Sequence, residues 1–378
     1  MKYLVLAILL TFAYAAIEQK IKLIDDIQDS AASELVKIQP PVDLGLDTIS
    51  KFFVVGDFGD IETYSNLEHV TDVMNQLSSN EKYDFIATVG DNVYEKGIES
   101  MSKLDTVNKI MNSFKKSHIK DTPMYLTLGN HDWFSDYKNE IKYHEHDNQW
   151  NMESDYYKLK LPLKDDPSKY LVLIMANSWL LDCKTEFKDN KKDCEDMNTK
   201  MDGNRVKEHY DWMHEHLKKY SEDPDVAWLG VVMHHSVFIV PGMKEDLLPL
   251  LRKYKVDFAL VGHNHRFEYS NIGFDDKIKF PGKDYGDIIE DCNAKKEIIN
   301  TPTRYQEFRK GEKLHQFMMG GSGRKFAKIW PYREQDGKVY FQNVEEHGMV
   351  TIEVNSKQFT AKYHQRVDKI VYQVTIKS

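Results

Sequence analysis

Five short segments carry residues of metal-binding type: Gly56-Asp57-Phe58-Gly59, Gly90-Asp91-Asn92-Val93-Tyr94, Gly129-Asn130-His131-Asp132, Val232-Met233-His234-His235 and Gly262-His263-Asn264-His265. Each follows a short apolar, β-branched run, so its polar residues fall in the loop where a buried strand ends. In open α/β sheets that carboxyl edge is where ligands bind. The residue types suit hydrolysis of a phosphate ester, which needs a nucleophile at phosphorus, charge against the equatorial oxygens and a proton for the departing alkoxide. Two cations about 3.5–4 Å apart meet the first two needs. Such a pair wants hard oxygen donors, imidazoles and one carboxylate able to bridge. Asp57 and Asp91 are carboxylates, Asn130 offers an amide oxygen, and His234, His263 and His265 offer ring nitrogens. A lone Gly-Asp or His-x-His carries little. Five such segments in this order are not explained by helix-capping aspartates and satisfied core histidines.

The elements that must position these residues follow from periodicity. From Lys51 onward the pattern predicts strand Phe52–Val55, a helix near Asn66–Leu77, strand Phe85–Val89, a helix near Thr106–Phe114 and strand Met124–Leu128. Strands separated by helices predict βαβ units and a mostly parallel sheet. A further strand is expected at Leu171–Ala176. Between 203 and 220, Val206, Tyr210, Met213 and Leu217 fall on one helical face, leaving Lys207, Glu208, His214 and Glu215 outward. Strand Ala227–Met233, helix Lys244–Tyr254 and strand Phe258–Val261 come next. Ser270–Lys313 is polar and rich in Gly, Pro and Asp, which suggests long loops, and Met349–Ile376 alternates as an antiparallel sheet does. One continuous α/β domain over 49–378, with a second sheet, is the simplest architecture.

The 378 residues are 41% hydrophobic, enough for a sizeable core. A formal charge of −9 argues against a surface built for nucleic acid. Small phosphorylated substrates are compatible with it, because bound cations reverse the local field. Lys2, the apolar run 3–12 and Ala13-Tyr14-Ala15 predict a secretion signal over 1–15, with 16–48 as an arm containing Pro40-Pro41. The apolar run is short of the ~20 residues that a spanning helix needs, and no later stretch reaches that length either. A secreted or lumenal location is therefore expected. Of the three cysteines, Cys183 and Cys194 flank a polar loop and are the expected pair, leaving Cys292 over. None has zinc-ligand spacing. The absence of any Asn-x-Ser/Thr acceptor predicts no N-glycan.

On these motifs the chain resembles the purple acid phosphatases of the calcineurin-like metallophosphoesterase superfamily. The resemblance runs from about Lys51 to Ser378, and favours the small tartrate-resistant branch over the large plant enzymes. Tyr94, three residues after Asp91, is the feature that separates that family from its superfamily. The resemblance implies a four-layer α/β/β/α sandwich with two mixed β-sheets. It implies Fe(III) on Asp57, Asp91, Tyr94 and His265, and Fe(II) or Zn(II), ahead of Mn(II), on Asp91, Asn130, His234 and His263, with Asp91 bridging. A phenolate suits a hard trivalent ion. With Tyr94 as a core aromatic instead, the centre would be a colourless divalent pair. Zinc lowers the pKa of its water to about 7, and a trivalent ion lowers it further, so hydroxide survives in acid.

The implied protein is a monomeric, secreted or lumenal acid phosphatase that hydrolyses phosphomonoesters, phosphoproteins among them, by metal-hydroxide attack. His131 matches the family's phosphate-contacting histidine, placed to orient substrate or protonate the leaving group. Asp132 either fixes an imidazole or caps a loop. The chain departs from the family pattern in Val237-Phe238-Ile239-Val240-Pro241-Gly242-Met243, which lacks the usual second loop histidine. His235 stands where the family usually has tyrosine, and either compensates catalytically or has no part. Two other readings follow: a catalytically weak phosphatase-like scaffold or anchor, and a metal-dependent phosphodiesterase of the same superfamily. His144, His146, His214 and His216 are expected at the surface. Gly320-Gly321-Ser322-Gly323-Arg324 lacks the Lys and Ser/Thr of a P-loop and predicts a strand-to-loop turn beside the metals.

Overall fold

The computed structural model describes residues 48–182, 205–238, 240, 242–276, 305–327 and 338–378. The expected signal at 1–15, the arm up to 47, and Cys183, Cys194 and Cys292 lie outside the described residues. Chain order begins with β1 (Lys51–Val55), α1 (Tyr64–Ser78), β2 (Phe85–Thr88), α2 (Asp105–Asn112), β3 (Met124–Tyr125), α3 (Lys138–Lys142) and β4 (Trp150–Asn151). It continues through β5 (Tyr157–Pro162), β6 (Tyr170–Met175), α4 (Ser178–Asp182), α5 (Arg205–Glu222) and β7 (Val226–Val232). A π-helical turn, Met243–Leu247, runs into α6 (Leu248–Lys253), followed by β8 (Phe258–Val261) and β9 (Phe267–Gly273). The last strands are β10 (Tyr305–Arg309), β11 (Lys313–Met319), β12 (Lys338–Asn343), β13 (Met349–Asn355), β14 (Gln358–Arg366) and β15 (Lys369–Lys377).

These strands form an eight-stranded sheet in the order β10-β15-β14-β13-β1-β2-β3-β4 and a seven-stranded sheet in the order β12-β9-β11-β8-β7-β6-β5. Both are mixed. Parallel pairs join β1 to β2, β2 to β3 and β3 to β4, while β13 closes the other edge of β1 in the antiparallel sense. The closing strands thus extend the first sheet and do not form a second, antiparallel one. The second sheet is centred on the parallel strands β6, β7, β8 and β11. Parallel strands covered on both faces read as unbroken apolar runs, and β2 and β8 are buried at every position.

Alternation along β6 shows how the layers stack. Leu171, Leu173 and Met175 join the core shared by the two sheets, whereas Val172 and Ile174 pack with Met213 and Leu217 of α5 and with Leu247 and Leu251. On the other side α1 packs against β14 and buries Leu67, Val70 and Met74, completing four layers. Aromatic rings fill the middle. Phe359 of β14 meets Trp228, Phe258 and Phe317 of the second sheet at centroid distances of 5.9, 4.3 and 5.9 Å. Trp228 Nε1 also donates to the carbonyl oxygen of Asn355 at 2.7 Å, and the Tyr363 hydroxyl donates to that of Glu268 at 2.6 Å.

Three local expectations change. The strand expected over Met124–Leu128 pairs only at Met124 and Tyr125, because side chains take over its ladder: Thr127 Oγ1 donates to the Thr88 carbonyl oxygen and Asn92 Nδ2 to that of Thr127. His216 is buried, with Nδ1 bonded to the Trp212 carbonyl oxygen at 2.9 Å, while His144 and His146 are exposed and His214 is half-buried. Within the stretch expected as loops, β9 extends to Gly273, β10 spans Tyr305–Arg309, and 277–304 lie outside the described residues. Because Phe359 is fully buried between the sheets, Phe359→Ala should destabilise the fold by about 3–5 kcal/mol. Urea unfolding measures this, and a loss below about 1 kcal/mol would place the inter-sheet cohesion elsewhere.

Candidate metal centre

All five segments lie at the carboxyl ends of parallel strands. Asp57 follows β1, Asp91 and Tyr94 follow β2, and Asn130 and His131 follow β3. His234 and His235 follow β7, and His263 and His265 follow β8. The first three strands belong to the eight-stranded sheet and the last two to the seven-stranded sheet, so the site forms where the edges of both meet. The turns are sharp, with φ of 55° at Asp57, 52° at Asp91 and 67° at His263, a region that side chains other than glycine rarely enter. Hydrogen bonds hold them there: Asp57 N donates to the Gly90 carbonyl oxygen at 3.1 Å, and His263 N to Asp57 Oδ2 at 3.0 Å. Backbone strain of this kind persists where its surroundings enforce it, typically at functional sites. Gly129 allows the β3 loop to come close, since a Cβ there would fall 2.2 Å from Asp91 Oδ1.

The seven side chains singled out in the sequence converge in two groups. In one, the Tyr94 hydroxyl donates to Asp91 Oδ2 at 2.7 Å and lies 3.3 Å from both Asp57 Oδ1 and His265 Nε2. In the other, Asn130 Oδ1 lies 3.1 Å from His234 Nε2 and 3.0 Å from His263 Nδ1, and those two nitrogens are 3.3 Å apart. Asp91 belongs to both, because Oδ2 is also 3.4 Å from His234 Nε2. Backbone carbonyls orient two rings: Nδ1 of His234 pairs with Val89 O at 2.7 Å and Nδ1 of His265 with Lys325 O at 3.0 Å. Each thereby turns Nε2 toward the cluster, as ligating histidines do.

Burial and mutual charge set the protonation of these groups. Burial pushes the Asp57 carboxyl up to about 7. Burial opposes charge on Asp91 as well, but His234 outweighs it and holds that carboxyl well below the usual range. Burial likewise opposes charge on His234, yet the carboxylates of Asp91 and Asp57 hold its imidazolium up to about 9. Burial lowers His263 to about 3 and His265 to about 4, which keeps those rings neutral with lone pairs available. Burial and the two carboxylates raise the Tyr94 phenol well above its ordinary value. By donor type and convergence, two carboxylates, a phenol, an amide oxygen and three imidazoles fit a pair of cations, with the phenol suited to the harder one.

His131 sits half-buried at the rim. Its backbone N–H donates to Asp91 Oδ1 at 3.0 Å, Nδ1 pairs with Glu95 O at 2.7 Å, and its ring packs 4.4 Å from that of Tyr94. His235 is fully buried, its ring 4.5 Å from that of His263 and 5.5 Å from that of Trp179. Asp132 touches none of the metal-site imidazoles. It accepts from Asn92 N at 3.0 Å, Val93 N at 3.1 Å and Gly129 N at 2.7 Å, tying the β2 loop to the β3 loop. Gly320–Gly323 turns beside the site, and a Cβ on Gly320 would lie 3.0 Å from Asp57 Oδ2.

Sequence reasoning missed the side chains that meet only in three dimensions. The Arg324 guanidinium lies 4.4 Å over the Tyr94 ring and is held by Asp60 and Glu95. Ser178 contacts His235, and Glu140 is buried beside Asp132 with its carboxyl pushed well above the usual range, by burial first and then by Asp132. No spacing announces such pairings.

Fold and site together define a metal-dependent phosphoesterase. The model of the calcineurin-like phosphoesterase family matches residues 50–267, and the chain belongs to that family. Among curated relatives, tartrate-resistant acid phosphatase type 5 of Sus scrofa is 22% identical over 314 residues, covering 78% of this chain and 86% of the relative. Purple acid phosphatase 7 of Arabidopsis thaliana is 26% identical over 275 residues, 67% of this chain and 74% of the relative. A solved structure described as GAP50, the anchor in the inner membrane complex of Plasmodium, shares the fold with a TM-score of 0.58 and 15% identity, covering 86% of this chain and 87% of its own.

Asp132→Ala removes the acceptor of three buried backbone N–H groups. At about 1–3 kcal/mol for each orphaned donor, thermal unfolding should show a loss of about 3 kcal/mol or more. Atomic absorption should show reduced metal content in the same protein. A variant as stable and as metal-rich as the parent would remove Asp132 from its place as the tie between the loops.

Proposed function

We propose that the chain is a phosphomonoester hydrolase of the purple acid phosphatase kind. In it Asp57, Asp91, Tyr94 and His265 hold Fe(III), and Asp91, Asn130, His234 and His263 hold Fe(II) or Zn(II). The observation that carries this reading is the Tyr94 hydroxyl, placed within 3.3 Å of Asp57, Asp91 and His265. When bound, the ions supply a nucleophile drawn from water and positive charge for the phosphoryl oxygens. The chain's own groups do the rest. Asp91 joins the two groups, and the Val89 and Lys325 carbonyls keep His234 and His265 turned inward. His131, fixed by Asp91 and Glu95, orients the substrate and gives the leaving alkoxide its proton. Phosphoproteins are within the proposed substrate class, and the apolar start of the chain supports a secreted or lumenal place of action.

A second reading, a phosphatase-like anchor, draws on one departure: the loop 237–243 lacks the family's usual second histidine, and its Val237 and Phe238 are buried. Among the described residues no helix is long and apolar enough to cross a membrane.

A visible spectrum of the purified, metal-loaded protein, with turnover of p-nitrophenyl phosphate and its bis-ester against pH, separates the possibilities. The expected result is tyrosinate-to-iron absorption with monoester turnover in acid. Iron without turnover would favour the anchor, preference for the bis-ester would favour a diesterase, and absence of iron would overturn the Fe(III) assignment. Asp91→Asn should lose both ions, whereas His131→Ala should keep colour and metal content while kcat falls by about 100-fold or more. An unchanged kcat in His131→Ala would remove that residue from the chemistry.

A further inference from the structure

We propose that His235 supplies Nε2 as a third imidazole ligand to the divalent ion, a role that rests on the metal reading above and extends it. His235 is 1% exposed, and Nε2 has no hydrogen-bond partner among the described residues. Its other nitrogen is fixed, with Nδ1 2.8 Å from Ser178 Oγ, and that oxygen also accepts the backbone N–H of His235 at 3.0 Å. A serine oxygen can accept both hydrogens. With Nδ1 protonated toward Ser178, Nε2 is a bare lone pair in a dry site, the tautomer that a cation selects.

Position separates His235 from ordinary buried histidines. His209, His315 and His364 each leave one ring nitrogen unpaired too, but among the described residues none belongs to a cluster of potential ligands. His235 does, since one ligand atom from each of His234, His235 and His263 lies within 4.8 Å of the others. Donors on one ion at about 2.1 Å are about 3.0–3.4 Å apart when adjacent and about 4.2 Å apart when opposite, so gathering the group onto a single ion takes a closure of at most about 1.8 Å in any pair, within reach of ring rotation. The ring already rests against His263 at 4.5 Å and Trp179 at 5.5 Å, so little side-chain freedom remains to be lost.

The divalent ion would then meet Asp91, Asn130, His234, His235 and His263, a set richer in nitrogen than the one taken from family resemblance. Imidazole-rich sites favour zinc and iron over manganese and magnesium, which prefer oxygen. His235 is therefore a metal-selecting residue, and an extra imidazole enters the centre from the segment just before the loop that lacks a histidine.

Zinc K-edge absorption on the native chain loaded with iron and zinc provides the direct test, with three imidazoles expected around zinc. His235→Phe keeps a ring in place and removes the nitrogen. In chelator competition it should bind zinc at least 10-fold more weakly and discriminate less against manganese, while retaining iron and colour. Two imidazoles around zinc in the native chain, or unchanged zinc affinity in a folded, iron-retaining His235→Phe, would overturn the assignment of His235 alone. A native chain that binds no divalent ion would overturn both this assignment and the metal reading beneath it. The native-chain measurement decides the matter even if the variant fails to fold.

Discussion

The carboxylate of Asp91 is the constraint on which the rest of the molecule turns. One of its oxygens receives the Tyr94 hydroxyl at 2.7 Å and lies 3.4 Å from His234 Nε2. The other receives the backbone N–H of His131 at 3.0 Å. Tyr94 and His131 come from the eight-stranded sheet and His234 from the seven-stranded sheet, so this buried group spans the seam between them. Below it, the aromatic contacts of Phe359 with Trp228, Phe258 and Phe317 join the same two sheets. The left-handed backbone at Asp91 then turns the loop back toward the cluster.

Charge accounts for the shape of the site as much as geometry does. Asp57 and Asp91 are fully buried, a placement that water disfavours strongly unless positive charge is supplied. Neutral imidazoles from β8 face them, and Asp132 holds the supporting loops by accepting backbone N–H groups. Burial pushes Asp132 up to about 6 and its neighbour Glu140 well above the usual range, which favours a shared proton over two adjacent charges. The acidic groups thus divide their labour: Asp57 and Asp91 face the cluster, while Asp132 and Glu140 fasten what carries it.

Much of this was legible in the sequence because the relevant signals are local. An apolar run followed by Gly-Asp or Gly-His marks a strand end, and the helices of βαβ units announce themselves by period. Global arrangement is not local. Nothing in the alternation of Met349–Ile376 says that β13 pairs with β1, and the short strands β3 and β4 are defined by their neighbours more than by their own residues. His216 is buried where surface exposure is expected because the buried stripe of α5 runs through His209, Met213, His216 and Tyr220, a helical face that includes polar residues. Arg324 over Tyr94, and Ser178 beneath His235, join positions more than fifty residues apart. The site's contacts across chain distance were therefore the part that only three dimensions supply.

The seam between the sheets has a thermodynamic consequence. Any cation gripped at Asp91 together with His234 and Tyr94 is a cross-link between two halves of the molecule that unfolding must pull apart. By mass action, each tenfold rise in free ion above its dissociation constant adds about 1.4 kcal/mol to the folded state. The chain's resistance to heat and denaturant is then partly a property of its surroundings, set by the availability of metal in the compartment where it works.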